Sequence, residues 1–194
     1  MIHYYILYKP YGVLPQFTDT EKRPVLGDLF DFPKEVYPVG RLDKDSEGLL
    51  FLTNDKKLNY RLLHPKFGHE REYWVQVEGS PTKENLIALE KGITIQNEKT
   101  KPSKVSILGE TVDFPERIPP IRSRKTVPTT WISLTLTEGK NRQVRKMTAA
   151  AGFPTLRLIR VRIENLKIDG LKSGEVREVT KEELTVLTKK LKLA

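Results

Sequence analysis

One short segment groups the side chains best suited to catalysis. Residues 40–48 carry Arg41 and three acids, Asp43, Asp45 and Glu47, between two extended stretches. A carboxylate held between core strands can act as a general acid, a general base or a nucleophile. Acids in loops often belong to solvated turns. The close acids also permit a glycosidase-like pair, although sequence proximity does not fix the distance between carboxylates.

Basic side chains are concentrated in a second segment, residues 138–147. In a helix predicted over residues 139–151, with Asn141 as its N-cap, Arg142, Arg145 and Lys146 share one face. Cations in the first turn oppose the helix dipole, which favours anions there. This placement indicates phosphate or carboxylate partners, but a solvated basic stripe fits the pattern equally well.

A third segment places two aromatic residues side by side. Tyr73 and Trp74 lie in a strand predicted over residues 70–78, so they point to opposite faces. One ring can enter the core while the other faces a cleft. The plainer interpretation is that both rings pack in the interior.

The elements that position these segments predict the fold class. Because strands outnumber helices and their order is mixed, we expect an α+β fold with a largely antiparallel sheet. Residues 109–130 are predicted to be an irregular, functional or disordered loop with Arg117, Arg122 and Arg124. Strands are predicted at residues 2–8, 48–53, 70–78, 93–95, 103–108, 131–136 and 156–163, and further helices from Asn54 or Asp55, from Thr82 and from Thr180.

Composition narrows the function classes. Lys and Arg number 34 against 25 Asp and Glu, a net charge of +9, and such a basic domain often binds a polyanion. The absence of cysteine excludes disulfides, thiolate catalysis and cysteine-based zinc sites. No apolar run approaches the roughly 20 residues of a membrane helix, and the N-terminus shows no export signal, so the expected compartment is the cytoplasm.

Four segments resemble, in order, the motifs of one family. Residues 40–50, GRLDKDSEGLL, are similar to the signature of the A, B, E and F types of ribosomal RNA pseudouridine synthases. Lys9-Pro10-x-Gly12 resembles the family's N-terminal motif, and residues 138–147 resemble its arginine motif. Glu72-Tyr73 resembles its tyrosine motif, with Arg71 in place of the usual lysine.

The resemblance implies a fold and a reaction. The fold would be a mixed, largely antiparallel central sheet with flanking helices, in two subdomains around a basic cleft. The reaction would isomerise uridine to pseudouridine without a metal or a cofactor. Asp43 would be the catalytic carboxylate, with Arg145 as the cation that keeps it ionised and Tyr73 as the group that stacks on uracil and helps to remove a proton.

The resemblance also implies how RNA is held. The target uridine would be flipped out of its stack, and Lys9, Arg41, Arg142, Lys146, Arg122 and Arg124 would contact the RNA. Segments near residues 119–131 and 152–160 are similar to the E-type branch, which acts on large-subunit (23S) ribosomal RNA without an S4-type RNA-binding domain. We therefore expect one catalytic domain over residues 1–194, acting as a monomer with no obligate protein partner and no membrane.

Three alternatives remain open at this point. A non-catalytic RNA-binding or ribosome-assembly protein fits the charge and the aromatic residues but has no use for Asp43. A hydrolase of a glycosidic bond would release free base or cleaved sugar, whereas an isomerase leaves the mass of the RNA unchanged. The same isomerisation could also act on small-subunit ribosomal RNA or on transfer RNA.

Overall fold

A computed structural model describes residues 1–109, 112–121 and 126–193 of the chain. These residues form two compact units, which are unit 1 (Met1–His69 and Arg160–Ala194) and unit 2 (Glu70–Ile159). The elements in chain order are β1 (Tyr4–Lys9), β2 (Tyr37–Pro38), β3 (Glu47–Thr53), α1 (Lys56–Leu63), β4 (Arg71–Glu78), α2 (Lys83–Glu90), β5 (Thr94–Ile95), β6 (Glu98–Lys99), β7 (Lys104–Ile107), β8 (Thr129–Leu136), α3 (Gln143–Ala150), β9 (Thr155–Ile163), β10 (Leu166–Lys167), β11 (Val176–Glu178) and α4 (Lys181–Lys190).

In unit 1, the strand β3 is buried along its whole length. The strand order is β11-β1-β3-β9, with β2 paired to β3 and β10 paired to β9. Antiparallel register places Leu7 opposite Leu50 and Tyr5 opposite Leu52. One face of this sheet packs into a core cluster formed by Tyr5, Leu7, Val13, Leu26, Val36, Leu42, Leu50 and Leu52.

Unit 2 is built on the strand order β9-β4-β8-β7, beside the small hairpin β5-β6. The strands β4 and β8 pair antiparallel, with Tyr73 opposite Leu134 and Val75 opposite Ile132. Its core cluster joins this sheet to α2 and α3 through Val75, Val77, Leu86, Leu89, Ile95, Ile132, Leu134, Leu136, Val144, Met147 and Leu158.

Helix ends follow local capping chemistry in three of the helices. The Asp55 carboxylate accepts hydrogen bonds from the first turn of α1, and Thr82 caps α2. Thr180 and Glu183 form the predicted capping box of α4. The prediction of Asn141 as the cap of α3 is wrong, because Arg142 takes that position with a left-handed backbone (φ 52°).

The predicted α+β class with a largely antiparallel sheet is confirmed, with shifted boundaries. The strand predicted at residues 131–136 begins at Thr129, and α3 begins at Gln143 instead of Gly139. Of the predicted basic loop, Arg122 and Arg124 lie outside the described residues. In the part of the chain that is described, no helix is long and apolar enough to cross a membrane.

Substituting Gly48 tests the close approach of β3 to β9. Gly48 has φ 104°, and an added Cβ would collide with the backbone carbonyl of Arg160 and lie 2.7 Å from its nitrogen. We expect Gly48→Ala to lower the free energy of unfolding by roughly 3 kcal/mol. The matched control is Gly170→Ala, which shares the positive φ (78°) but has nothing within 4 Å of the added methyl group.

The two variants can be compared by chemical denaturation followed by circular dichroism. The control should lose only about 1 kcal/mol, the cost of the left-handed backbone. Equal losses in the two variants would show that the backbone contact at Arg160 does not constrain position 48.

Candidate active site

The acid loop, residues 40–48, is fixed on both sides of Asp43. Leu42 is 5% exposed and belongs to the core of unit 1, and Ser46 is 1% exposed. The Ser46 amide donates a 3.0 Å hydrogen bond to the Asp43 carbonyl, which closes a tight turn. Asp43 itself is half-buried. The loop therefore presents this carboxylate from a backbone that is anchored at two buried positions.

Lys9 ties the N-terminal motif to the acid loop. Its ammonium donates to the carbonyl oxygens of Pro10 at 2.7 Å, Val13 at 2.8 Å and Lys44 at 3.5 Å. The Gly12 amide donates to the same Lys44 carbonyl at 2.8 Å. Two segments more than thirty residues apart are thus joined at the residue that follows Asp43.

This arrangement corrects the sequence-based role of Lys9. The side chain is 0% exposed, and its ammonium is occupied by backbone carbonyls, so it is not placed as a phosphate contact. Burial lowers the pKa of Lys9 to about 8, while the nearby carboxylates of Glu47, Asp45 and Asp43 act in the opposite direction. Lys9 is therefore a positioning residue whose charge lies within electrostatic range of the acid loop.

Arg160 is a second buried cation of unit 1, and its role was not predicted from the sequence. It is 3% exposed, and its guanidinium donates to the Leu49 carbonyl at 2.7 Å and to the Arg41 carbonyl at 3.4 Å. Its charge adds to the lowering of the Lys9 pKa. The available signal was the presence of Arg157, Arg160 and Arg162 in a strand predicted over residues 156–163, since a buried arginine requires partners.

Arg41, the first candidate cation of the loop, has an exposed side chain. The backbone carbonyl accepts the Arg160 hydrogen bond, which fixes the main chain two residues before Asp43. The position is consistent with the predicted contact to RNA, which stays a prediction.

In unit 2, Tyr73 and Trp74 point to opposite faces of β4, as predicted. Tyr73 packs against the core of unit 2 on the same face as Val75 and is partly buried. On the other face, Trp74 meets the Phe114 ring edge-on at 5.6 Å, and its indole N–H donates to Glu72 at 3.1 Å. Tyr73 therefore stays partly exposed, whereas Trp74 takes part in packing on the opposite face.

The arginine motif begins α3 with a braced turn. Gln143 is 4% exposed, and its amide nitrogen donates to the Glu138 carboxylate at 2.6 Å. Its amide oxygen accepts from the Lys140 backbone N–H at 2.9 Å. The Lys140 side chain is already paired with Glu98 at 2.6 Å. The buried Gln143 therefore fixes the start of the helix through Lys140 and Glu138. These two hydrogen bonds do not involve the side chains of Arg142, Arg145 or Lys146.

These basic residues differ in their surroundings. Arg142 is exposed and occupies the left-handed N-cap position, and Arg145 is half-buried, with its carbonyl accepting from the Thr148 hydroxyl at 3.2 Å. Lys146 donates to Gln96 at 2.6 Å and to Asn141 at 3.4 Å. Thus Lys146 has only neutral amide partners among its described hydrogen bonds, and its charge is not neutralised by them.

Two arginines bind backbone carbonyls of the described segment before β8. Arg117 folds back onto its own segment, donating to the carbonyls of Pro119 at 2.8 Å and Pro120 at 3.1 Å. Arg157 lies 5.9 Å from the Phe114 ring and donates to the Pro115 carbonyl at 2.8 Å. Both arginines therefore help to hold the described part of this segment in place.

The candidate residues fall into two groups. Unit 1 holds Lys9, Arg41 and Asp43, of which Lys9 and Asp43 are brought together at the acid loop. Unit 2 holds Tyr73, Arg142, Arg145 and Lys146, the last three at the start of α3. The pairing of Asp43 with Arg145 implied by the resemblance stays a prediction.

The acid loop, a tyrosine on a strand and an arginine-rich helix start are the features that resembled an RNA-modifying enzyme, and the comparisons give the class. Residues 3–150 match the family described as RNA pseudouridylate synthase. The chain belongs to this family and is a pseudouridine synthase, an isomerase.

Similar proteins cover most of the chain. It is 50% identical over 168 residues to ribosomal large subunit pseudouridine synthase E of Xanthomonas axonopodis pv. citri, covering 86% of this chain and 88% of the relative. It is 47% identical to the enzyme of the same name from Vibrio vulnificus, covering 90% and 74%. A crystal structure of a pseudouridylate synthase superposes with a TM-score of 0.80 at 29% identity, covering 96% and 74%.

The titration of Lys9 can be tested through stability. Its pKa is lowered by burial to about 8 in the folded chain, against 10.5 as its ordinary value. Between these values the unfolded chain binds more protons, so the contribution of Lys9 to stability rises with pH. We expect wild type to gain on the order of 2 kcal/mol relative to Lys9→Met between about pH 8 and about pH 10.

Urea denaturation of both proteins at several pH values measures this difference. Lys34→Met, at an exposed lysine of unit 1, provides the control, whose difference from wild type should stay flat. A pH-independent difference for Lys9→Met as well would contradict the lowered pKa.

Proposed function

We propose that this enzyme converts a specific uridine of large-subunit (23S) ribosomal RNA to pseudouridine, with Asp43 as the nucleophile. The observation that carries this proposal is the construction of the acid loop. Leu42 and Ser46 are buried on either side of Asp43, and Lys9 and Gly12 both bind the carbonyl of the next residue. A carboxylate on a backbone held this firmly needs little main-chain reorganisation to reach a reactive geometry.

The chemistry is an isomerisation in which no atoms are lost. The N1–C1′ bond of uridine breaks, the base rotates, a C5–C1′ bond forms, and the proton at C5 is removed while N1 gains one. The carboxylate can form a covalent intermediate or stabilise positive charge that develops at C1′. The residues 1–194 are proposed to perform these steps as one catalytic domain without a metal or a cofactor.

Tyr73 and Arg145 are proposed as the supporting groups. Tyr73 offers an aromatic face to the uracil ring and a hydroxyl that can help to take the proton from C5. Arg145 is proposed as the cation that keeps the catalytic carboxylate ionised. Its half-buried place at the start of α3 supports this role, since a charge–charge interaction is stronger away from bulk water.

Flipping of the target uridine is part of the proposal, because the reacting atoms are inaccessible inside a stacked helix. The exposed Arg41 and Arg142, together with Lys146, are proposed to contact RNA phosphates and so to hold the distorted strand. Arg122 and Arg124, which lie outside the described residues, remain part of the same prediction. Binding should consequently weaken steeply as the salt concentration rises.

The choice of RNA rests on the relatives. Proteins that are 50% and 47% identical over most of the chain carry the name ribosomal large subunit pseudouridine synthase E. This supports large-subunit ribosomal RNA over small-subunit or transfer RNA as the substrate. We further propose that the enzyme works in the cytoplasm as a monomer without an obligate protein partner.

The first test replaces the proposed nucleophile. Asp43→Asn keeps the size of the side chain but removes its charge, so we expect pseudouridine formation to fall at least about 10³-fold while RNA binding persists. Asp45→Asn, two residues further along the same loop, is the matched control and should retain most of the activity. Site-resolved pseudouridine mapping of large-subunit ribosomal RNA measures both and identifies the uridine.

The outcomes separate the alternatives. Full activity in Asp43→Asn would remove Asp43 as the nucleophile. Tight binding without any product from wild type, on naked or particle-bound RNA, would favour an assembly factor or another RNA. Release of free uracil or a cleaved chain would indicate a hydrolase.

A second test concerns the tyrosine. Tyr73→Phe retains the ring but loses the hydroxyl, so we expect product formation to slow about 10²-fold or more with RNA affinity unchanged. Trp74→Phe changes the neighbouring residue on the opposite face and should leave the rate within a few-fold of wild type. Single-turnover rates at saturating RNA measure the difference, and an unchanged rate in Tyr73→Phe would remove its proton-transfer role.

A further inference from the structure

A second surface of unit 1 has the composition of an RNA-binding site, and none of its residues belongs to the catalytic motifs. We call it the aromatic–basic face. It combines one side of α1 with the 3-10 turn Pro65–Phe67 that follows it. Its members are Lys57, Tyr60, Arg61, His64, Lys66 and Phe67.

Helical spacing creates the first part of this face. Lys57, Tyr60, Arg61 and His64 stand at i, i+3, i+4 and i+7, so they lie along one side of α1. The opposite side carries Leu58 and Leu62, which are 0% and 2% exposed. Tyr60 remains 53% exposed although it is a large aromatic residue.

Three rings meet edge-on at the end of the helix. The centroids of Tyr60 and His64 are 5.2 Å apart, those of His64 and Phe67 are 5.7 Å apart, and those of Tyr60 and Phe67 are 6.1 Å apart. Such clusters give a rigid surface with π-faces on which unpaired bases can stack, whatever their sequence.

Two cations are held against one of these rings, that of Phe67. The Arg61 guanidinium carbon lies 4.3 Å from the Phe67 centroid, and the Lys66 ammonium lies 4.8 Å from it. These cation–π contacts order the two long side chains before any ligand arrives. Of the five N–H donors of Arg61, the described residues take one, through a 3.2 Å bond to the Lys192 carbonyl.

The charges of this face are left without carboxylate partners. Within the described ranges of the chain, Lys57, Arg61 and Lys66 take part in no ion pair. Four cations elsewhere on the surface are neutralised by short ion pairs to acids, namely Arg23 with Asp19 at 2.6 Å, Lys104 with Glu70 at 2.6 Å, Lys140 with Glu98 at 2.6 Å and Arg177 with Glu183 at 2.7 Å. The positive charges of Lys57, Arg61 and Lys66 therefore remain on one face, where an external anion can bind them.

The face also borders the acid loop within unit 1. A Cβ added to Gly40 would lie 3.0 Å from the Leu63 side chain, so the end of α1 packs against the residue that opens the loop. Gly40 stands three residues before Asp43. The face and the candidate nucleophile therefore lie in neighbouring parts of unit 1.

We propose that the aromatic–basic face binds a single-stranded stretch of the substrate RNA that flanks the target uridine. Lys57, Arg61 and Lys66 contact phosphates, and Tyr60 stacks on an unpaired base. The proposal rests on the proposed function, because it takes the substrate to be RNA that reaches Asp43. Charge complementarity selects a polyanion, and the exposed ring selects one with unpaired bases.

The electrostatic half is tested by Arg61→Gln with Lys66→Gln. We expect affinity for the modified ribosomal RNA region to fall about tenfold, and the slope of log K against log salt to shrink by about 1.4, or about 0.7 for each single-strand phosphate contact. Lys34→Gln with Lys181→Gln removes the same charge from exposed lysines of unit 1 outside the face, and should change the slope by less than half as much.

The stacking half is tested at Tyr60. Tyr60→Leu should weaken binding about tenfold with an unchanged salt slope, because stacking involves no counterion release, and Tyr60→Phe should restore wild-type affinity to within about twofold. Fluorescence anisotropy between 50 and 200 mM salt measures all variants on the ribosomal RNA fragment and on a short single-stranded RNA. Melting curves by circular dichroism confirm that each variant is folded.

The outcomes separate this proposal from the proposed function. If wild type modifies the ribosomal RNA but the face variants bind as the control pair does, the face is not an RNA site and the function stands. If wild type modifies no ribosomal RNA, the function fails, and the short single-stranded RNA still decides about the face. Losses seen only on assembling particles, with naked RNA bound normally, would indicate a protein partner and overturn the proposal.

Discussion

The buried ammonium of Lys9 is the interaction on which the acid loop depends. An ammonium removed from water must find acceptors, and here it finds them in the carbonyls of Pro10, Val13 and Lys44. Because these carbonyls come from two distant segments, satisfying one charge fixes the loop against the first strand. Antiparallel pairing of Lys9 with Gly48 brings the two segments into reach. The N-terminal motif and the acid loop are therefore held together as one hydrogen-bonded structure.

Gly48 and Arg160 hold the same loop from the β9 side of β3. The backbone of Arg160 comes so close that position 48 tolerates no Cβ, while the guanidinium of Arg160 takes up the carbonyls of Leu49 and Arg41. Two buried cations thus flank a loop that carries three acids, and Lys9 lies within electrostatic range of Arg160 and of all three acids. The cost of burying these charges is offset by hydrogen bonds that also immobilise the backbone around Asp43.

Sequence patterns predicted what depends on periodicity and local chemistry. Alternation placed Tyr73 and Trp74 on opposite faces, and the capping box at Thr180 appears as expected. The burial of Lys9 was not predicted, because its partners are main-chain carbonyls that no side-chain pattern reveals. The cap of α3 was misassigned for a related reason, since the buried Gln143 organises that turn and an arginine accepts the left-handed position.

The net charge of +9 does not distinguish between cations with different roles, and the structure does. Buried cations such as Lys9 and Arg160 donate hydrogen bonds to backbone carbonyls. Paired cations such as Lys140 are neutralised by acids at the surface. Neither group has charge to offer to a polyanion. Other cations keep their charge, and in unit 1 two of them, Arg61 and Lys66, lie against the Phe67 ring near the acid loop. Because phosphate contacts position a strand without reading it, a surface of this kind can orient RNA while the choice of uridine is made elsewhere.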